Sequence, residues 1–435
     1  MSKPSIPGTL GGWLRLLEAR HPKAVDLGLE RCSLVWQSMG SPKAARHTFV
    51  VAGTNGKGST VATLCALLSS LGFSQGCYTS PHLLRYNERV RVNNRQVSDD
   101  ELMRAFERVE AARGDVSLSY FEFGTLAAIS ILSRLQLDFA VMEVGLGGRL
   151  DAVNLLDADC AVITPVGFDH QEYLGNDLES IGREKAGIIR PGKPLVCGED
   201  DPPASILQHA AAQGAPLKRL GVDFQAVRAD REMRFQMNGI DLLLPAPVLE
   251  GAHQVNNAAT ALAALLQLLP DAAEQLPALC AGLAAVKLPG RLERVRDHPA
   301  VWIDVGHNPM AASAVAVTLQ TLLADGHFNS CRCVLGMLAD KDPAAVVKEL
   351  KPVISNWYCA GIGSDRGQSG QQLADRLDEV ISPQAVGSFD TVQSALRAAL
   401  AESEPTDGIL VFGSFLTAAD AVQALGLDGT TTAPC

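Results

Sequence analysis

From Thr48 onward the chain alternates short, continuous apolar runs with longer stretches of helical periodicity: FVVAG (Phe49 to Gly53), a helical pattern from about Lys57 to Leu71, then CYTS, FAVMEVG and CAVITPV. Runs that are apolar at every position are strands buried on both faces, and their alternation with helices predicts a mostly parallel sheet in an α/β fold. The stretch from about Asp223 to Val248 changes character. Its shorter alternating pieces around Asn238-Gly239, as in MRFQMNGIDLLLP, predict a small β-hairpin appendage to the first domain. A Pro-Gly pair in KLPGRLERV interrupts the pattern, and a second α/β series follows: VWIDVG, a helix from about Ala311, CVLGML, NWYCAGI and ILVFGS. The expected organisation is a first domain over 1–289, a linker over 290–295 and a smaller Rossmann-like α/β domain over 296–435, with a hinged ligand cleft where they join. Leucines at helical spacing in MSKPSIPGTLGGWLRLLEAR predict an amphipathic, uncleaved first helix, and the terminal GLDGTTTAPC is expected to fray.

Composition narrows the class. A chain of 435 residues with 47% apolar and 20% charged positions has the length and balance of a two- or three-domain globular protein. The longest near-apolar stretch, Ala258 to Leu269, is too short to span a bilayer. A net charge of −11 without any Lys/Arg-rich block argues against nucleic acid or an anionic membrane as a general partner. The ten cysteines show no CxxC pair and no disulfide framework, so buried, reduced thiols and a cytoplasmic location are expected.

The strongest chemical signal is VVAGTNGKGST (Val50 to Thr60): a β-branched strand, a glycine-rich turn, a lysine, then a helix with hydroxyl residues in its first turn. Such a turn lets backbone N–H groups approach phosphate oxygens, the helix N-terminus favours anions, and Lys57 can neutralise developing charge, so a nucleoside triphosphate, best ATP, is the expected ligand. The loop departs from G-x-x-x-x-G-K-[ST], because Gly53 precedes Gly56 by only three residues and Gly58 separates Lys57 from Ser59. GLGGRL (Gly145 to Leu150) imitates a dinucleotide fingerprint but lacks its third glycine and leads into DAVN rather than an evident helix. In open α/β sheets ligands lie outside the carboxyl ends of strands. There Ser80 ends GCYTS, Glu143 ends FAVME and His170 follows CAVITPVGFD, a hydroxyl, a carboxylate and an imidazole that suit Mg2+ shared with phosphate oxygens. Ser80 reads equally well as a strand-to-turn cap before Pro81 and His170 as a satisfied structural residue beside Asp169, whereas an acid inside an apolar strand must be paired, metal-bound or neutralised. On composition Lys185, in REKAGIIR, is a solvated ion-pairing residue. In the second series, Asp304, His307 and Asn308 of IDVGHNP and the FGSF segment end two further strands.

As a set these motifs closely resemble the folylpolyglutamate synthase and dihydrofolate synthase family within the Mur-type amide ligases. The matching strings run in order over nearly the whole chain: DLGLERC, AGTNGKGST, YTSPHLLRYNERVRV, YFEFGTLAA, MEVGLGGRLDAVN, GFDHQEYLG, IGREKAGIIRPGKP, NNAATALAAL, LPGRLE, DVGHNP, GMLADKD and FGSF. The resemblance implies an ATP-dependent ligase that joins L-glutamate to dihydropteroate and to the γ-carboxylate of reduced folates through an acyl phosphate, acting as a monomer. It implies that Gly56, Lys57, Gly58 and Ser59 hold ATP phosphates and that Asn256, Arg291 and Asp304 also contact ATP. Ser80, Glu143, His170 and Lys185 would be ligands to Mg2+, present as two ions, with Lys185 carbamylated in place of the solvated ammonium read from composition. Asp26, Leu27, Gly28, Leu29, Phe121, Glu122, Phe123, Gly124, Leu150, Asp151 and Ala152 would form the pterin pocket, in which Phe121 and Phe123 could stack or pack on the ring. His307 and Ser414 would bind the incoming glutamate, and the catalytic residues would be Lys57, Lys185 and His307. DLGLERC resembles the segment that bifunctional bacterial members use for dihydropteroate, which favours both activities over a single-activity folylpolyglutamate synthase. A cell-wall Mur ligase would need an extra N-terminal domain, and a P-loop regulatory ATPase would hydrolyse ATP without pterin or glutamate.

Overall fold

The computed structural model describes residues 7–21, 26–382 and 385–427, so the C-terminal tail beyond Leu427 lies outside the described residues. The chain divides into two compact units, Met1–Pro247 with Val255–Val286, and Val248–Gln254 with Lys287–Cys435. This differs from the linker expected over 290–295: Glu293–Asp297 is already a strand of the second unit, and residues 248–254 group with that unit too.

Among the described residues the main sheet of the first unit has eight strands: β1 (His47–Ala52), β2 (Gln75–Tyr78), β3 (Val90–Val92), β4 (Arg95–Gln96), β5 (Phe139–Glu143), β6 (Cys160–Ile163), β7 (Leu195–Cys197) and β8 (Leu217–Arg219). Their order is β4-β3-β2-β5-β1-β6-β7-β8. From β2 through β8 all neighbours are parallel, and only β3 and β4 turn back antiparallel at one edge. The middles of the central strands are apolar because both faces are covered, one by a core containing Trp13, Phe106 and Phe123 and the other by a core containing Phe49, Leu64 and Phe139. The expected hairpin region is a three-stranded antiparallel sheet, β9 (Phe224–Ala229), β10 (Glu232–Met237) and β11 (Ile240–Pro245), whose second turn carries Asn238 at φ 47° and Gly239 at φ 84°. Positive φ at both central residues is what a twist-matched two-residue hairpin requires.

The second unit carries β12 (Glu293–Asp297), β13 (Ala300–Ile303), β14 (Cys331–Leu335), β15 (Ile354–Ala360), β16 (Val386–Phe389) and β17 (Gly408–Phe412), ordered β12-β13-β17-β14-β15-β16 and parallel except for β12. All nine described cysteines are free thiols, and eight of them are buried. Among the described residues no helix is long and apolar enough to cross a membrane.

One ion pair ties the entrance of β17 to that of β14. Asp407 accepts from Arg332 Nη1 at 2.7 Å, from Ser330 Oγ at 2.7 Å and from the Glu404 amide at 2.9 Å. Burial alone would raise the Asp407 carboxyl, but these hydrogen bonds and the guanidinium outweigh it and hold it below the usual carboxylate range. A depressed carboxyl stabilises the fold above its unfolded value, about pH 3.9, and that contribution disappears as pH falls through the folded value. Asp407→Asn is therefore expected to cost about 1–3 kcal/mol at pH 7 in denaturant unfolding and to flatten the acid limb of the stability curve. An unchanged acid limb would place the pH dependence elsewhere.

Candidate active site

The parallel order β2-β5-β1-β6 puts four carboxyl ends side by side, with Met142 opposite Tyr78, Glu143 opposite Val51 and Ile163 opposite Ala52. The glycine loop leaves β1, Ser80 follows β2, Glu143 closes β5 and His170 follows β6, so one rim of the sheet gathers all four.

The loop is held open from both sides. Gly53 has φ 148°, and a Cβ there would lie 1.8 Å from Thr164 Oγ1 at the end of β6. Gly56 caps the helix Lys57–Ser70 at φ 88°, and a Cβ there would lie 2.4 Å from the Asn257 amide oxygen. Side chains are thus excluded by neighbours as well as by backbone conformation. Lys57 Nζ donates to the carbonyls of Gly53 and Thr54 at 3.0 and 2.9 Å, while Gly58 and Ser59 are buried in the first helical turn. Asn256 is exposed on the helix Ala252–Leu268, and it is the next residue, Asn257, that packs on the loop.

At the neighbouring strand ends, Glu143 is buried and its Oε2 accepts from the Ser80 amide at 3.2 Å. His170 sits at φ 51°, with its amide donating to Asp169 Oδ1 at 2.9 Å and Nε2 3.9 Å from the same oxygen. Lys185 overturns the reading from composition: it is 3% exposed and makes no ion pair among the described residues. Burial, aided by the Lys57 ammonium and opposed by Asp169 and Asp151, pushes it down to about 7. A lysine there is neutral in a large fraction of molecules at pH 7. It is a nucleophilic amine rather than a solvated cation.

The GLGGRL segment explains how this lysine is buried. Its turn lies against the helix Leu178–Ala186: a Cβ on Gly148 would meet the Glu184 and Lys185 carbonyl oxygens at 2.8 and 3.0 Å, and one on Gly187 would meet Arg149 Cβ at 2.4 Å. Arg149 pairs with Glu184 at 2.8 Å. These glycines serve close packing of loop on helix, not a dinucleotide. Asp151 organises the same turn, accepting from the amides of Gly145, Leu146 and Val153 at 3.0, 2.9 and 2.9 Å. Its burial nevertheless raises the carboxyl to about 7 against these amides and Lys57. Among the described residues no cluster of three His, Cys, Asp or Glu side chains forms a metal site. Ser80 and Glu143 are hard oxygen donors of the kind Mg2+ takes and His170 adds an imidazole nitrogen, so these side chains fit the ion expected from the sequence.

The residues expected around a pterin divide in two. Phe121 is half-buried, its ring against Gly145 and 6.0 Å from Tyr78, while Leu27, Gly28, Leu29 and Leu150 are half-buried as well. Phe123 is different. It is fully buried, 6.3 Å from Trp13 and 5.7 Å from Phe106, so its ring belongs to the core and has no face to offer a ligand. Ala152 is buried at the start of a short 3-10 turn, and Gly124 is buried where a Cβ would strike the Tyr86 hydroxyl. Glu122 caps the helix Tyr120–Leu132 by accepting from the Ser119 amide and also pairs with Arg31 at 3.0 Å. Arg31 in turn pairs with Asp26 at 2.8 Å, fastening segment 26–29 to that helix. Sequence reasoning passed over Arg31; the signal was a basic residue between two acids of the same suspected pocket.

In the second unit Asp304 directly follows β13, buried, and accepts from the Leu292 and Gly306 amides at 2.8 and 2.7 Å. Burial raises its carboxyl against the pull of Arg291, whose guanidinium lies 5.7 Å over the Phe415 ring. His307 Nδ1 lies 3.1 Å from the Val305 carbonyl. A carbonyl only accepts, so Nδ1 is the nitrogen that donates to it, and Nε2 is the one that can accept whenever the ring carries a single proton. Ser414 Oγ accepts from the Thr417 amide at 3.0 Å and lies 2.8 Å from Thr417 Oγ1, whose own proton goes to the Gly336 carbonyl at 2.7 Å. Ser414 is therefore the donor to Thr417 Oγ1, and what it retains is one acceptor lone pair.

A mostly parallel α/β sheet with a glycine-lysine loop, polar side chains at the strand ends and a second α/β unit is the plan of a Mur-type ligase. Residues 51–265 match the Mur ligase middle domain and residues 290–415 the Mur ligase glutamate ligase domain. The chain is 43% identical over 423 residues to the dihydrofolate synthase/folylpolyglutamate synthase of Escherichia coli, covering 97% of each chain. It is also similar to the solved structure of Escherichia coli FolC in complex with DHPP and ADP (43% identity, TM-score 0.89, covering 98% of this chain and 99% of that one). A third match is the bifunctional folylpolyglutamate synthase/dihydrofolate synthase of Yersinia pestis complexed with AMPPNP and Mn ion (42% identity, TM-score 0.88, covering 98% and 100%). The chain belongs to the dihydrofolate synthase/folylpolyglutamate synthase family.

Gly148→Ala tests the contact that buries Lys185. The added methyl cannot be accommodated without moving the lysine's helix, so a loss of about 1–3 kcal/mol and a fall in turnover larger than the fall in folded fraction are expected. Wild-type turnover with a normal Tm would mean that the loop does not set the lysine's position.

Proposed function

We propose that this protein is an ATP-dependent ligase that joins L-glutamate to dihydropteroate, forming dihydrofolate, and to the γ-carboxylate of reduced folates, in the cytoplasm. The observation that carries this reading is the single sheet rim on which a phosphate-type loop meets the strand-end side chains of Ser80, Glu143 and His170, with the buried Lys185 close enough to feel the Lys57 charge.

A carboxylate is a poor acyl donor. Transfer of the terminal phosphoryl group of ATP to the acceptor's carboxylate oxygen converts it to an acyl phosphate, whose phosphate leaves readily when an amine attacks. Lys57 and the loop amides from Gly56 to Ser59 stabilise charge on the phosphoryl oxygens as it moves. Ser80, Glu143, His170 and a carbamylated Lys185 would hold Mg2+, which when bound neutralises charge on the phosphate oxygens. Carbamylation suits Lys185 because burial lowers its amine toward neutrality: the neutral Nζ attacks CO2, a proton leaves, and a carboxylate takes the place of the amine. Phe121 offers a half-buried ring to the pterin, beside Leu27 to Leu29 and Leu150.

In the second unit Arg291 and Asp304 suit the nucleotide. Ser414, with an acceptor to spare and no donor, suits the ammonium group of glutamate rather than its carboxylates. His307 Nε2 suits the proton that this ammonium must lose before its nitrogen can attack.

Phosphate release from Mg·ATP and glutamate, with dihydropteroate, tetrahydrofolate or no pterin, tests the function. Release with both pterins and a gain of one glutamyl unit on each is expected. Release with tetrahydrofolate alone would leave one activity, and pterin-independent release would favour a regulatory ATPase. Lys57→Ala should lower turnover by at least about a hundredfold with the fold intact by circular dichroism. Lys185→Ala should lose turnover and regain part of it with acetate or another small carboxylate. Wild-type rates without rescue would remove the carbamate.

A further inference from the structure

Arg89 is a buried cation that the chemistry above leaves unused. It is 7% exposed, and no carboxylate among the described residues forms an ion pair with it. Its guanidinium carbon lies 5.0 Å from the Tyr86 ring centroid and 5.4 Å from that of Tyr120, two rings set edge to face 5.8 Å apart. Nε donates to His82 Nδ1 at 2.9 Å, and the Tyr78 hydroxyl is its other polar neighbour. A guanidinium has five N–H donors, more than these two neutral groups can take. The nearest acid in sequence, Glu88, is consumed by the backbone, accepting from the amides of Leu83, Leu84 and Arg85 at 2.7, 2.8 and 2.7 Å. Glu122 is held by Arg31, and Glu143 takes the Ser80 amide. Aromatic faces recover part of the cost of burying a charge, but a buried guanidinium without an anion is far from balanced.

Its position says which anion is missing. The Thr79 amide donates to the Arg89 carbonyl at 2.9 Å, and Val90 pairs with Tyr78, so Arg89 sits beside the carboxyl end of β2, one residue from Ser80. On the other side Tyr78 touches Phe121, and the Tyr86 hydroxyl closes on Gly124. Arg89 thus lies between the strand-end donors and the segment proposed to hold the pterin ring, where an acceptor bridging the two must place its acidic end.

We infer that Arg89 is the anchor for the acceptor's carboxylate: its guanidinium binds the carboxylate that is to be joined to glutamate, keeping it ionised and aimed at the phosphoryl group. This rests on the ligase reading above. His82 is a positioning residue, occupying Nε so that the remaining N–H groups of the fork are presented together.

The test is calorimetric binding to the full chain, without ATP, of dihydropteroate and of its carboxamide, which has the same ring and shape but no charge. Wild type should prefer the acid by about tenfold or more. Arg89→Met should bind the two within about twofold of each other, Arg89→Lys should keep part of the preference, and the Kd for ATP should be unchanged in both. In turnover, the KM for dihydropteroate should rise at least about tenfold while that for glutamate stays put. Equal binding of acid and amide by wild type would overturn the anchor without recourse to any variant, and so would a full preference retained in Arg89→Met or, should that variant not fold, in Arg89→Lys. Wild type that bound neither compound would instead overturn the ligase reading, and the anchor with it.

Discussion

The parallel pairing of β2, β5, β1 and β6 is the constraint on which the site depends. Residues far apart in the chain share a rim only because parallel strands all end at the same edge, and a register slip of one residue in β5 would turn Glu143 to the other face of the sheet. The apolar strands supply that precision. With both faces buried, Phe49, Val51, Phe139 and Val141 lock against the helices on one side while Val50, Ala140 and Met142 lock on the other. The polar residue at each strand end inherits a fixed position from packing that it does not itself take part in.

The rim concentrates charges that would be unfavourable singly. Lys57, Lys185 and Arg89 are cations drawn toward the low-dielectric interior, and each is handled differently. Lys57 is received by loop carbonyls, Arg89 by ring faces and an imidazole, and Lys185 by a lowered affinity for its proton. Such arrangements disfavour the isolated fold and favour a complex with anions, which is the balance expected of a protein that must bind a nucleotide phosphate and a carboxylate together.

Several residues of the presumed pockets also perform local structural work. Asp151 ties three amides of the glycine turn, Glu122 caps a helix, Asp304 fastens the segment after the Pro-Gly pair, and Ser414 caps the helix Phe415–Ala424. This work narrows their chemistry. A hydroxyl with its proton committed can only accept, and a carboxylate already bound by amides is oriented before any ligand arrives.

Much of the site was legible because its chemistry is local. The glycine-lysine loop is a strand, a turn and a helix start in eleven consecutive residues (Val50 to Thr60), and Ser80, Glu143 and His170 stood out as polar groups after apolar runs. Family resemblance added the roles that no short window contains. What the sequence could not decide was burial and partnership. Lys185 reads as a surface residue in REKAGIIR, and it is buried because Gly148, nearly forty residues earlier, lets a loop lie on its helix. Phe121 and Phe123 look equivalent in YFEFG, yet a helical turn points one ring toward Gly145 and the other into the core beside Trp13. That Arg89 forms no ion pair with a carboxylate among the described residues is equally invisible in YNER, where Glu88 stands next to it but is spent on backbone amides. Sequence by itself determined which elements form, in what order, and which chemical groups end the strands, because those follow from periodicity and turn chemistry within a few residues. Only the tertiary structure decided which of those groups lose water and which neighbours they meet, because desolvation and pairing are set by segments distant in the chain.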